Sequence, residues 1–367
     1  MPIPKEIAPL EFERPLRELE KKIEELKGWT REQTVDLGDQ VRDLENKLAD
    51  EKQAVYGNLT AWERVLIARH PQRPYFLDFV EMIMTDWIEL HGDRMFADDH
   101  ALVGGIARLG HQRVMLVAHQ KGKNTRERTV RNFGMPHPEG FRKALRLMQT
   151  AEKFSLPVVC FIDTPGAYPG IGAEERGQAR AIAFNLREMM RLKTPVVVVI
   201  TGEGCSGGAL GIGVGDAVLI FQHAYYSVIS PEGCAAILWR DAGQMAKAAS
   251  ALKLTSEDLI TTGIVDEVIP EPLGGCHYDP KQMAAMLKER LLVHLDRLGV
   301  VRPDDLLERR YQRFRALGVY SDKVIKLDRH GDLDRRGDLE QGEKPAGQEE
   351  SPEASEGDTP AASSSEA

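Results

Sequence analysis

Apolar and polar positions follow three different periods along this chain. Over residues 10–56 the apolar positions are heptad-like: Leu16, Leu19, Ile23 and Leu26, then, after Gly28, Leu37, Val41, Leu44 and Leu48, with charges between them. Each series is too short for a long coiled coil, so the pattern predicts a helical hairpin arm laid on a larger body or on a partner. Thr60 and Glu63 form a capping-box pattern that opens a helix through Ala68, and the prolines of residues 69–74 end it. A further helix is predicted over 75–90, then a loop at 91–94, then two strands over 102–109 and 114–119 joined by a turn at Gly110. Pro138 and Glu139 open a helix whose apolar face is Phe141, Ala144, Leu145, Met148 and Ala151.

The third period is no period at all. Residues 196–200 are an unbroken β-branched run, and 158–162 is a second apolar run, both of which read as strands buried on two faces of a parallel sheet in an α/β layer structure. Each runs into glycine. After residues 158–162 comes a stiff but accessible Gly/Pro loop, Pro165-Gly166-Ala167-Tyr168-Pro169-Gly170, suited to be a wall along which a flat ligand slides. After residues 196–200 comes Gly204-Cys205-Ser206-Gly207-Gly208, a strand-to-helix turn whose backbone amides have no bulky side chain in front of them. Such amides attract an anion, or an oxygen on which negative charge develops. Gly211, Gly213 and Gly215 follow and suggest a buried, closely packed helix. Residues 262–270 read as a helix end, a glycine and an edge strand, and two amphipathic helices are expected over 281–298 and 304–317.

The turn admits two chemistries. It is either a set of backbone donors for an oxyanion or, since Gly204, Ser206 and Gly208 fit Gly-x-Ser-x-Gly, the nucleophile elbow of a serine hydrolase, with Asp266 and His277 or His294 in the required order. No lysine follows the glycines, so a phosphate-binding P-loop is absent from this stretch.

Charge changes the picture locally. The 367 residues carry a formal charge of -9, which makes the bulk surface a poor nucleic-acid binder. Within that acidic chain, Lys121, Lys123, Arg126, Arg128, Arg131, Arg142, Lys143 and Arg146 stand against only Glu127 and Glu139, a candidate for binding anionic groups such as a cofactor's phosphates. Cys160, Cys205, Cys234 and Cys276 show no Cys-x-x-Cys spacing, which argues against a metal site. Apolar runs are too short to span a bilayer, and the first residues lack the features of a signal peptide, so a cytoplasmic protein is expected.

The motifs also resemble a family. Asp163-Thr164-Pro165-Gly166-Ala167-Tyr168-Pro169-Gly170, Glu174-Glu175-Arg176-Gly177-Gln178, Gly202-Glu203-Gly204 through Gly208, and Ser230-Pro231-Glu232-Gly233-Cys234 look like the carboxyltransferase alpha subunit of bacterial acetyl-CoA carboxylase. Ala68-Arg69-His70-Pro71-Gln72-Arg73-Pro74-Tyr75 and Arg131-Asn132-Phe133-Gly134-Met135-Pro136 match it too, and the likeness extends over residues 10–320.

The resemblance implies an α/β crotonase-like (ClpP/crotonase) spiral of strand-strand-helix repeats with an N-terminal helical arm. The expected division is an arm over 1–57, a carboxyltransferase domain over 58–320, and a low-complexity acidic, disordered tail over 321–367. It also implies transfer of a carboxyl group from carboxybiotin, held on a biotin carboxyl carrier protein, to acetyl-CoA, giving malonyl-CoA for fatty acid synthesis. Biotin carboxylase and a beta subunit would be partners, in an alpha2beta2 heterotetramer, with zinc only in the beta subunit. Because the biotin ring can itself take the acetyl proton, no protein acid or base is required. Carried over by motif, Gly207 and Gly208 are the catalytic amide donors, and Gly166, Ala167, Tyr168, Pro169 and Gly170 line the biotin side of the cleft. Arg126, Arg128 and Arg131 are assigned to coenzyme A phosphates or to the carrier protein. Cys205 departs from the family, which commonly has glycine there.

Overall fold

The computed structural model describes residues 10–33 and 37–318. The expected tail over 321–367 lies outside the described residues.

The chain begins with the arm. Helices α1 (Arg14–Gln33) and α2 (Gly38–Gly57) pair through their heptad stripe, and Lys27–Glu45 and Lys52–Glu20 bridge them at 2.5 and 2.8 Å. Helix α1 continues through Gly28, whose absent Cβ would meet nothing within 4 Å. At the base, Leu16, Tyr56, Leu59, Ile67 and Tyr278 form a small core of their own that fastens the arm to the body. The Tyr56 hydroxyl donates to Glu13 at 2.9 Å and lies 3.1 Å from that of Tyr278. Helix α3 (Ala61–Ala68) starts at the expected capping box, with Thr60 Oγ1 accepting from the Glu63 amide and the Glu63 carboxylate accepting from the Thr60 amide.

The helix predicted over 75–90 is a helix and a strand. Helix α4 (Phe76–Ile83) buries Phe76, Phe79, Val80 and Ile83 and ends at Met84; Thr85–Glu89 then forms β1, antiparallel to β2 (Leu102–Leu109). The apolar spacing that supports a helix stops at Ile83, and β2 offers an unpaired edge. Asp86 takes a left-handed φ of 54°, the register jumps between Thr85 and Ile88, and the Ile88 carbonyl comes within 2.0 Å of where a Cβ on Gly105 would stand. Only glycine admits that approach.

Strand β2 turns at Gly110 into β3 (Gln112–His119), as predicted, with β3 starting two residues earlier than expected. Helices α5 (Thr125–Val130) and α6 (Pro138–Lys153) follow, the latter with the predicted apolar face buried. Then come β4 (Val158–Thr164), α7 (Ile171–Glu175), α8 (Gln178–Met189), β5 (Val196–Cys205), α9 (Ser206–Leu210), β6 (Ala217–Phe221) and β7 (Tyr225–Ser227). Helices α10 (Pro231–Trp239), α11 (Met245–Leu252) and α12 (Ser256–Thr261), strand β8 (Glu267–Ile269), and helices α13 (Pro280–Gly299) and α14 (Pro303–Arg315) complete the described chain.

Among the described residues the strands form one sheet in the order β1-β2-β3-β4-β5-β6-β8, with β7 pairing the far end of β5. From β3 onward the pairs are parallel, so each strand is followed by a crossover that covers a face, and every residue of β4 and β5 is buried. Two details differ from the expectation. Strand β6 lies in a stretch where none was predicted, and the glycine-rich helix after Ser206 lasts only to Leu210, since glycine is a poor helix former and 211–216 form an irregular link into β6.

Candidate active site

Strands β4 and β5 run side by side in register from Val158↔Val196 to Ile162↔Ile200 and then part. The next pair is Thr164↔Gly204, so β5 spends two residues more than β4 and bows outward. Beyond the bow, the loop after β4 and the turn after β5 face each other across a groove of about 540 Å³. Gly166, Ala167, Tyr168, Pro169 and Gly170 all line it, as do Cys205, Ser206 and Gly207, with Val228 to Ser230 closing one end.

The loop wall is fixed from behind. The Thr164 hydroxyl accepts from the Gly166 amide at 3.1 Å and stands 2.6 and 2.8 Å from the carbonyl oxygens of Gly134 and Gly166. The Tyr168 amide donates to the Pro136 carbonyl at 3.0 Å, and Gln178 Nε2 donates to the carbonyls of both Pro136 and Tyr168. The wall is therefore tied to the 131–136 motif by hydrogen bonds that need no ligand, which is what preorganisation requires.

The turn is tight. Ser206 takes a φ of 55°, in the left-handed region, and opens α9 with no side-chain cap. The amides of Ser206, Gly207 and Gly208 occupy the first turn of that helix, where no preceding helical carbonyl is available to them. Gly207 is half-buried and faces the groove, whereas Gly208 is buried behind it. A Cβ on Gly208 would stand 2.4 Å from the Gly166 carbonyl carbon and 2.6 Å from the Ala167 nitrogen. Wall and turn interlock at this residue. The Cys205 thiol lines the groove as well; burial, then the charge of Glu203, pushes it up to about 11, so it is a neutral thiol at physiological pH.

A charged network lies directly behind the site. Lys121 Nζ donates to Asp163 at 2.7 Å and to Glu203 at 2.5 Å; Arg69 Nε donates to Glu203 at 2.6 Å and its Nη1 to Glu232 at 2.5 Å; the Tyr225 hydroxyl donates to Glu203 at 2.8 Å. Burial opposes the Glu203 carboxylate, but Lys121 and Arg69 outweigh it and hold its pKa at about 2. Burial likewise opposes the Lys121 ammonium, and the two carboxylates more than offset it. The Glu203 amide donates to Asp163 at 2.9 Å, so the network pins the bow in β5. His119, at the end of β3, is buried with neither ring nitrogen hydrogen-bonded, and burial, then Lys121, lowers it to about 3.

The basic stretch divides. Lys121, Lys123, Arg142 and Lys143 are consumed by Asp163 and Glu203, Asp78, Asp93, and Asp98 respectively. These four are scaffold ion pairs rather than free cations, because their acidic partners come from segments distant in the chain: β4, β5, α4 and the loop after β1. Arg128 donates to the Gly122 carbonyl and lines a smaller cavity of about 240 Å³ with Arg69, Lys121, Phe133 and Pro165, while Arg131 donates to the His100 carbonyl. Arg126 is exposed and has no hydrogen-bond or ion-pair partner among the described residues.

The hydrolase elements do not assemble. His277 is buried, stacks on His70 with centroids 3.9 Å apart, bonds through neither nitrogen, and is lowered to about 2 by burial and then His70. His294 is engaged by Glu267 at 2.7 Å, and Asp266 accepts from the Val218 amide at 2.7 Å and from Arg313. The Ser206 hydroxyl meets none of them, so the Gly-x-Ser-x-Gly match reflects the sharp turn alone. Among the described residues no group of three or more His, Cys, Asp or Glu is placed to hold a metal ion, and no helix is long and apolar enough to cross a membrane.

Thr164, Gln178 and the Arg69–Glu203–Lys121–Asp163 network support the site without having been singled out for it. Their signal was present: charges at the ends of strands buried on both faces need partners.

A sequence profile described as acetyl co-enzyme A carboxylase carboxyltransferase-like matches residues 9–318. The acetyl-coenzyme A carboxylase carboxyl transferase subunit alpha of Geobacter metallireducens is 54% identical over 313 residues, which is 85% of this chain and 98% of that one. Its counterparts in Bordetella avium and Prochlorococcus marinus are also 54% identical over 313 residues, covering 98% and 93% of their lengths and 85% of this chain. Among solved structures, transcarboxylase 12S with methylmalonyl-coenzyme A bound superposes with a TM-score of 0.52 at 21% identity, over 64% of this chain and 44% of that one. A Pseudomonas malonate decarboxylase hetero-tetramer in complex with coenzyme A gives 0.50 at 15% identity, over 60% and 88%. At these identities the two structures speak for the fold, which is the α/β crotonase-like spiral. With the sheet, the groove and the interlocked Gly-rich turn in place, and with relatives that match over nearly their full length, the chain belongs to the acetyl-CoA carboxylase carboxyltransferase family.

Proposed function

We propose that the chain is the alpha half of a split carboxyltransferase that moves a carboxyl group from carboxybiotin to acetyl-CoA, giving malonyl-CoA. Residues 58–320 form the transferase body in this reading, residues 1–57 the arm, and 321–367 an accessory tail. The observation that carries it is the groove that Gly207 lines opposite a wall tied down by Thr164 and Gln178. When bound, carboxybiotin would supply the carboxyl group and a ureido oxygen on which negative charge develops. Gly207 and Gly208 would donate their amides to this oxygen, and Gly166, Ala167, Tyr168, Pro169 and Gly170 would hold the flat ring and exclude water. No side chain has to carry a proton in this reading, and the thiol of Cys205, beside Gly207 in the groove, is neutral. Losing one oxyanion donor costs about 3 kcal/mol in the transition state, a factor of about a hundred in rate.

The groove is open on one side, so a beta subunit bearing a zinc ribbon would complete it in an alpha2beta2 heterotetramer and supply the acetyl-CoA site. The biotin carboxyl carrier protein, loaded by biotin carboxylase, would deliver the carboxybiotin. Arg126, Arg128 and Arg131 would meet coenzyme A phosphates or the acidic surface of the carrier. The test is the reverse reaction, carboxyl transfer from malonyl-CoA to free biotin, with this chain alone and with the beta subunit added. Activity only in the mixture is expected; an assembled mixture with no activity overturns the reading.

A further inference from the structure

The linker between α7 and α8 separates two cavities. Glu174 and Gln178 line the groove, whereas Glu175, Arg176 and Gly177 line a second cavity of about 560 Å³ between α6, α8 and the loop after β1. Its walls carry Arg142, Arg146, Arg176 and Arg180, and its apolar side is Met95, Leu145 and Phe184. Met95 and Phe184 are 79% and 41% exposed, which is unusual for large apolar side chains standing side by side with arginines.

The charges do not balance. Arg142 is met by Asp93 and Glu139, and Arg176 by Glu139 while its guanidinium stacks 4.7 Å from the Phe96 ring. Arg146, by contrast, reaches only the carbonyl oxygens of Gly92 and His91, and Arg180 is exposed with no hydrogen-bond or ion-pair partner among the described residues. Arg94 stands close behind Arg146 and, after burial, is the next cause that lowers its pKa. The carboxylate nearest to relieving that pair, Asp98, is taken by Lys143. Arg146 and Arg180 both line the cavity without a carboxylate bonded to them, and each guanidinium is a planar fork that binds phosphate oxygens bidentately. The four guanidiniums that line the cavity also outnumber the carboxylates of Asp93, Glu139 and Glu175, which favours an anionic ligand.

We propose that this second cavity is a binding site for an organic diphosphate, with Arg146 and Arg180 on its phosphates and Met95 and Phe184 against its flat or apolar body. That chemistry has two sources in a cell, a free nucleoside diphosphate and the nucleotide end of a coenzyme A thioester. The cavity is distinct from the groove, with which it shares no lining residue.

Binding to the full chain is measured by calorimetry with inorganic pyrophosphate, ADP and coenzyme A in turn, at low and at physiological salt. Saturable binding of pyrophosphate is expected, with ADP at least about threefold tighter because it also covers the apolar side, and with salt weakening all three. Coenzyme A binding more tightly than ADP assigns the site to the thioester, and the reverse order to free nucleotide. Arg180→Glu makes no internal contact to lose, so it folds; it is expected to weaken each ligand by at least about tenfold, the loss of one charge-assisted contact. Arg146→Gln in addition removes pyrophosphate binding. Failure of pyrophosphate and ADP to saturate below about 1 mM overturns the proposal. So does binding that Arg180→Glu leaves undiminished.

Discussion

The ends of β4 and β5 are the same topological unit built twice, yet they do opposite things. Both are fully buried parallel strands that run into glycine-rich segments, and they pair residue for residue until Ile162 and Ile200. After β4 the chain spends six residues, two of them proline, on a loop fastened by the side chains of Thr164 and Gln178 before α7 begins at Ile171. After β5 it turns within one residue into α9, with Ser206 in the left-handed region and no side chain holding it. The first unit presents a surface and the second presents amides. A groove with one wall and one electropositive edge follows from what comes after two neighbouring buried strands and from the bow in the second. The two meet at Gly208, the single position where the second depends on the first for its space.

That dependence gives the largest expected effect. Gly208→Val places a side chain inside the Gly166–Ala167 peptide and moves both wall and turn, so carboxyl transfer falls by more than about a hundredfold while assembly with the partner persists. Gly207→Ala is the sharpening control: its new methyl meets only the end of Ile182 at 3.3 Å, which can yield. Steady-state transfer and size-exclusion of the complex read both. Equal activity in Gly208→Val and wild type removes the interlock from the mechanism.

Much of this geometry was legible beforehand, for physical reasons. Unbroken β-branched runs announce strands buried on two faces, and the Gly and Pro positions after them announce loops, so β4, β5 and both edges of the groove follow from pattern. The capping box at Thr60 did the same for α3. What could not be read was long-range. Whether residues 85–89 continue a helix or join a sheet depends on the free edge of β2, and whether Lys121 or Lys143 is a free cation depends on carboxylates that the fold brings from far along the chain. Short strands such as β7 exist only because the bowed end of β5 offers them a partner.

The bow itself is the next point to test. Glu203→Gln leaves Lys121 and Arg69 short of a buried counter-charge and is expected to destabilise the chain by about 3 kcal/mol, read by denaturant titration. Its pH signature is specific. Glu203 and Glu271 are both held near 2 in the fold, burial being outweighed by Lys121 and Arg69 in one case and by Arg73 in the other. Their contribution is therefore complete above the ordinary carboxylate range and disappears as pH falls from about 4.5 towards 2. The neutral histidines act over a different window. His70 is lowered to about 4 by burial and then Arg73, so its contribution is complete above about 6.5 and declines as pH falls towards 4. Melting temperature should start to fall below pH 6.5, where His119 and His277 add to the effect of His70, and fall further below 4.5, and Glu203→Gln should flatten only the lower limb.

A smaller effect separates wall from edge. Thr164→Val keeps the shape of the residue but removes the hydroxyl that serves the amide of Gly166 and faces two carbonyl oxygens, at a cost of about 1–2 kcal/mol. If the wall's task is to hold the ring in place, the variant raises KM for free biotin in the reverse reaction more than it lowers kcat. An equal fall in kcat with KM unchanged would move Thr164 from the wall to the oxyanion edge.

The smallest effect belongs to the residue that the Gly-x-Ser-x-Gly pattern put forward as a nucleophile. The Ser206 hydroxyl touches no histidine, and what the turn uses is the backbone amide and the left-handed φ of 55°. Ser206→Ala keeps both the amide and a Cβ, so transfer should stay within about tenfold of wild type, the span of a perturbation near 1.4 kcal/mol. Ser206→Gly relieves the strain of that φ and should raise stability by about 1 kcal/mol with transfer again nearly unchanged. Both variants leave the donors of the β5 unit where they are, which is why the comparison predicts so little from changing the one side chain that resembles a catalytic group. Loss of transfer in Ser206→Ala with stability intact would return the chemistry from the backbone to the hydroxyl.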